Sequence, residues 1–142
     1  MIRNGTYTRI SGRDYKILNY RDDTPDEVNY VILIDEYGQP EDSEFTLNPQ
    51  GLYWKKMKII ELPNAFVVKT FAKYNDTEVE VFPKGNNLGY VVATSNEQDA
   101  VKAGLIKTNT NWYTQDTQLN ELSEIRENYS PSSYSLPMPP LN

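Results

Sequence analysis

The chain contains no cysteine and no histidine. Without cysteine there are no disulfides and no thiolate metal sites, a composition that fits a reducing compartment. Without histidine the commonest general base and the commonest metal ligand are both missing, and no side chain has an unperturbed pKa near 7. Zinc centres and Ser-His or Cys-His nucleophile pairs are excluded with it. Long apolar runs are lacking too, since none approaches the ~20 residues a membrane-spanning helix needs. The opening Met1-Ile2-Arg3-Asn4-Gly5 has no basic stretch leading into an apolar core. No secretory leader is therefore expected, and the expected compartment is the cytoplasm.

What is present bounds the rest. The chain has 142 residues, the length of one ordinary domain, and is 38% hydrophobic and 12% aromatic. Tyrosine supplies eleven of the aromatics, and its apolar ring and polar tip suit strand faces and contact surfaces alike. The formal net charge is −6. Such a chain repels phosphate backbones, which makes nucleic acid a poor partner and a basic protein a better one. The same charge also serves plain solubility.

Along the chain, Thr6–Ile10 and Asp14–Leu18 flank Ser11-Gly12-Arg13 as a hairpin. Tyr30-Val31-Ile32-Leu33-Ile34 reads as a central strand, followed by a turn at Tyr37–Pro40 and a shorter strand around Phe45-Thr46-Leu47. Leu52–Ile60 is mixed and reads better as strand. Ala65–Lys73 and Thr77–Phe82 frame a second hairpin turn at Tyr74-Asn75-Asp76, and Gly89–Thr94 is another buried-looking strand. Ser95 or Asn96 is placed to cap a short helix over Glu97–Ala103, with Gly104 to end it. Leu119, Leu122 and Ile125, spaced by three, suggest a second short helix over Leu119–Glu127. Four prolines and four serines mark 128–142 as a tail, flexible or an extended strap.

The two halves resemble each other. A shift of 64 positions lays the first hairpin on the second. A shift of 60 lays Tyr30-Val31-Ile32 on Tyr90-Val91-Val92, Phe45 on Leu105, Tyr53 on Tyr113 and Glu61-Leu62 on Glu121-Leu122. The expected fold is mainly β: antiparallel meanders and hairpins in two tandem similar units forming one domain, with one or two short helices. That domain spans 1–127, the repeats cover about 5–62 and 69–122, and 128–142 is the tail.

Carboxylates cluster in two places. Asp22, Asp23, Asp26 and Glu27 share one loop, and Asp35, Glu36, Glu41, Asp42 and Glu44 surround the next turn. Asp22 to Tyr30 lacks the alternating ligands, central glycine and closing Glu of a calcium loop, and solvated acidic loops account for both clusters, so no metal and no cofactor are expected. Together with Tyr30 and Tyr37 these acids are the candidate partner-binding residues, combining charge steering with aromatic contact area. Solvated loops bordering strands account for the same residues without any partner. Lys55, Lys56 and Lys58 beside Trp54 form a basic patch too short for a nucleic-acid stripe. Glu78 and Glu80, alternating with valines, read as the outward face of a strand. No phosphate-cradling glycine loop appears.

The opening Met1–Tyr7 with its Gly-containing hairpin and Asp14-Tyr15 resembles small immunity proteins of bacterial polymorphic toxin systems. So does the later order of second hairpin, Ala-containing helix ending in Gly104-Leu105, Tyr113 and Glu121-Leu122. The likeness spans roughly Met1–Glu127; the Pro-rich end departs from it. The resemblance implies a cytoplasmic binder, with no catalytic residues, of a cognate toxin domain, commonly a nuclease and here a basic one. Two other classes stand beside it. One is a phage or plasmid accessory module that blocks a host protein, with Pro131, Pro137, Pro139 and Pro140 as a ligand for an aromatic groove. The other is an enzyme using carboxylates alone, which needs two carboxylates with opposed pKa shifts in one cleft.

Overall fold

The computed structural model describes residues 1–20, 30–85 and 88–141. The chain divides into two compact units: the first takes 5–67 and 129–142, the second 1–4 and 68–128.

The first unit is an antiparallel meander. Strand β1 (Gly5–Ile10) turns into β2 (Arg13–Asn19) through Ser11 and Gly12, whose φ values are 52° and 77°. Two consecutive positive φ angles make the tight turn whose twist matches that of the flanking strands, and glycine takes its place there without strain. Strands β3 (Tyr30–Asp35), β4 (Thr46–Leu47) and β5 (Tyr53–Lys58) complete the order β4-β5-β3-β2-β1. The mixed segment Leu52–Ile60 thus divides into β5 and a 3-10 turn over Ile59–Glu61. Successive side chains face opposite ways, so one set points inward: Tyr15, Ile17, Val31 and Leu33 build a core with Phe45, Leu62 and Ala65. Residues 129–141 lie along this unit in extended form. Tyr134 and Leu136 pack on that core, the Ala65 N–H donates to the Pro137 carbonyl at 3.0 Å, and the Tyr134 hydroxyl donates to Asn19 at 2.9 Å.

The second unit follows the same plan. Strands β6 (Phe66–Tyr74) and β7 (Thr77–Pro83) form a hairpin across Asn75 and Asp76, again at positive φ, 50° and 61°. Asn and Asp tolerate that conformation better than other non-glycine residues. Strand β8 (Tyr90–Thr94) follows. Helix α1 (Glu97–Ala103) comes next, then β9 (Ile106–Lys107) and β10 (Tyr113–Thr117), in the order β6-β7-β8-β10-β9. A 3-10 turn over Leu119–Glu121 occupies the place of that over Ile59–Glu61. The core joins Ala72, Val79, Val81 and Val92 to Ala100, Ala103 and Leu105.

Two sequence expectations are corrected. The second short helix over Leu119–Glu127 does not form: after the 3-10 turn the chain enters β11 (Ser123–Pro131), which pairs with β6. Apolar residues at spacing three fit one tight turn, but they do not build the wider stripe of a longer helix, and Glu124 sits at φ 50°. The repeat also needs three offsets rather than two. Lys16 pairs with Ile34 where Glu80 pairs with Ala93, and Ile34 pairs with Trp54 where Ala93 pairs with Thr114. The offsets are therefore 64, 59 and 60, which puts Leu33 opposite Val92 rather than Ala93. A slip of one residue exchanges the inward and outward sets, so only the ladder fixes this correspondence.

Helix α1 forms where its caps predict. The Asn96 side chain accepts from the Asp99 N–H at 2.9 Å, and Gly104, at φ 77°, ends the helix while the Leu105 N–H returns to the Ala100 carbonyl at 2.9 Å. Replacing Asn96 by Ala, or Gly104 by Ala, is expected to cost about 1 kcal/mol each. Urea unfolding measures it, and no change in the midpoint for either variant refutes this account of the helix.

Candidate functional site

A cleft of about 550 Å³ opens at one end of the first unit's inward face. Its floor comes from strand positions that point inward. Tyr15 on β2 stacks on Phe45 with ring centroids 5.1 Å apart, and Leu33 on β3 and Met57 on β5 extend the apolar surface. The β1–β2 turn, Ser11 and Gly12, forms one lip. Arg13, Lys55, Glu41 and Asp42 stand around the rim. Burial first, then the nearby carboxylates of Asp35, Asp42 and Glu41, raise the Tyr15 phenol above its ordinary value, with Arg13 opposing. It therefore stays neutral in the physiological range.

The rim cations are already engaged. The Arg13 guanidinium reaches the Asp35 carboxylate at 2.6 Å, and Asp35 is 2% exposed. The contact is an ion pair without hydrogen-bond geometry, and the Arg13 Nε is buried with no hydrogen-bond partner among the described residues. The other Asp35 oxygen accepts the Tyr37 N–H at 2.8 Å. Lys55 lies between Asp42 at 3.0 Å and Glu44 at 2.9 Å. The backbone N–H of Glu44, then Lys55, holds the Asp42 carboxyl below its usual range. Glu44, then Asp42, raises the Lys55 ammonium.

These contacts place the acids named from sequence. Asp35 is buried, Asp42 and Glu44 bracket Lys55, and Glu36 accepts from the Tyr7 hydroxyl with Lys16 at 3.9 Å. Tyr37 is 49% exposed and borders a small hollow with Gly12, Arg13 and Asp14. Glu41 is exposed and makes no hydrogen bond or ion pair among the described residues. Tyr30 begins β3 and Asp35 ends it, about 17 Å apart along a strand of this length. Tyr30 therefore belongs elsewhere: the Lys56 ammonium sits 4.3 Å from both its ring and that of Tyr20. Asp22, Asp23, Asp26 and Glu27 lie outside the described residues. The lysine trio divides by strand alternation, Lys55 turning to the cleft and Lys56 and Lys58 to the other face. Glu78 pairs with Arg126 at 2.7 Å, while burial raises the half-buried Glu80 carboxyl against the pull of Lys69. Sequence reading missed Arg13, Tyr15, Phe45, Lys55 and Met57 as cleft residues. Lys55 stood out only in the basic patch and Tyr15 only in the family likeness, and the other three were visible only as strand or turn residues.

Among the described residues no group of three or more Asp or Glu could hold a metal ion, and no helix is long and apolar enough to cross a membrane. The family model described as Uncharacterised conserved protein UCP033725 matches residues 2–133. No curated protein and no solved structure matches the chain.

Removing Arg13 leaves the Asp35 charge buried with one backbone donor, so Arg13→Leu is expected to cost about 3 kcal/mol. Chemical denaturation reads this, and a loss below about 1 kcal/mol shows the pair to be energetically idle. The Lys55 cluster gives a pH signature. Asp42's folded pKa is depressed, so its contribution is present above 3.8 and lost as pH falls through the folded value. Lys55's is raised, so its contribution is present below 10.5 and lost as pH rises through the folded value. The stability difference between the native chain and Lys55→Met is expected to be flat between those limits and to shrink beyond each, as pH-dependent unfolding curves measure.

Proposed function

The chain belongs to the family of uncharacterised conserved protein UCP033725, and we propose that it acts there as an immunity protein. In this reading it binds and neutralises a cognate toxin domain, a basic protein and a nuclease, in a stoichiometric complex in the cytoplasm. The observation that carries the reading is the cleft: an aromatic and aliphatic floor whose rim cations have partners of their own, leaving Glu41 facing solvent. An apolar floor with a residual negative rim suits a protein surface carrying an apolar anchor beside a cation. The absence of histidine and cysteine points the same way, since a binder needs no group that shuttles protons at neutral pH.

Co-expression with the product of the upstream neighbouring gene is expected to rescue growth from that product's toxicity and to yield a 1:1 complex by light scattering. An upstream gene encoding no large secreted protein with a variable end removes the reading. So does turnover of any substrate by the purified chain alone.

A further inference from the structure

Each unit has an inward apolar face, and the two are covered in different ways. In the second unit Ala100 and Ala103 of α1 pack with Val79, Val92 and Leu105, and the Ala103 carbonyl accepts from the Asn75 side chain at 2.8 Å. The offsets of the ladders and of the repeat map Val79, Val92, Leu105 and Asn75 onto Tyr15, Leu33, Phe45 and Ser11. All four of these line the open cleft of the first unit. Between β3 and β4, where the second unit inserts α1 between β8 and β9, residues 36–45 carry no helix. The first unit therefore leaves open the place that a short helix fills in its counterpart.

We propose that this cleft receives a short amphipathic helix of the partner protein, presenting small apolar side chains three residues apart and a Lys or Arg beside them. The apolar part of the proposal rests on α1, which shows that the shared face accepts alanines at that spacing. The cation follows from the rim, where Arg13 and Lys55 stand against Asp35, Glu41, Asp42 and Glu44, and Glu41 has no ion-pair partner among the described residues. The larger rings of Tyr15 and Phe45 fill part of the space that the helix takes in the second unit, and the half-buried Ile10 and Met57 add the more accessible apolar contact. The inference rests on the protein-binding reading and names the site and the element that enters it.

The probe is a peptide reproducing residues 95–107 with E97K and D99K, locked helical by a lactam bridge on its outer face. Titrated into the full-length, isotope-labelled chain, it is expected to shift the resonances of Tyr15, Leu33, Phe45 and Met57. Glu41→Lys, at an exposed position that leaves the fold intact, is expected to weaken it at least tenfold. The same peptide with A100E and A103E is expected not to bind. No binding at millimolar peptide, shifts confined to other surfaces, or an unchanged affinity with Glu41→Lys each overturns the proposal. Toxin neutralisation separates the two ideas: a Glu41→Lys chain that still protects fully removes the cleft from the complex and leaves the immunity reading standing. A chain that finds no toxin but binds the peptide at the cleft does the reverse.

Discussion

A five-stranded antiparallel meander of this size has one apolar face and too few strands to wrap fully around it. That face must be covered by something other than its own sheet, because a unit of ~60 residues buries too little surface to leave any of it wet. The second unit meets the constraint with α1, Ile2 and Leu122. The first meets it with Phe45, Leu62, Ala65 and the extended segment that carries Tyr134 and Leu136. Strand alternation fixes which residues need cover, and the paired positive-φ turns at Ser11-Gly12 and Asn75-Asp76 fix where the alternation starts.

The acidic composition does not produce a plain negative surface. Asp35, Asp42, Glu44 and Glu36 each face a cation of the first unit, and Glu78 and Asp116 face Arg126 and Lys84 in the second. Apart from the buried Asp35 carboxylate, exposed pairs of this kind contribute little to stability and are screened by salt. Their larger effect is to localise charge. Glu41, without a counter-ion among the described residues, is one such spot and lines the cleft beside its apolar floor.

Local signals in the sequence carried most of the fold. Hairpins announced themselves by Gly12 and by Asn75-Asp76, strands by β-branched and aromatic runs, and α1 by Asn96 and Gly104. Leu119–Glu127 misled because a spacing of three satisfies a single 3-10 turn as well as a helix start, and pairing with β6 then holds Ser123–Pro131 extended. The site was legible only as a census of acids. Arg13 meets Asp35, and Lys55 meets Asp42, across a fold-back of the chain that no local pattern encodes. The floor was hidden for another reason: Tyr15 and Phe45 look like any aromatics of a strand-rich segment, and the cleft lies where the β3–β4 segment carries no helix, unlike the β8–β9 segment.

That asymmetry reaches the residues of the floor. Where the second unit has Val79 and Leu105 under its helix, the first has Tyr15 and Phe45, stacked and 6% and 9% exposed. Aromatic rings shield one another, so little of this face meets water although no helix covers it. Valine and leucine in the same positions leave a deeper hollow with no atoms to fill it, at a cost that grows with cavity volume. Large rings in place of small aliphatics and the absence of a helix offset each other in the free chain. Connecting segments are the most variable parts of similar folds, and here the difference between the units falls on the segment between β3 and β4, which brings Glu41 and Asp42 to the rim.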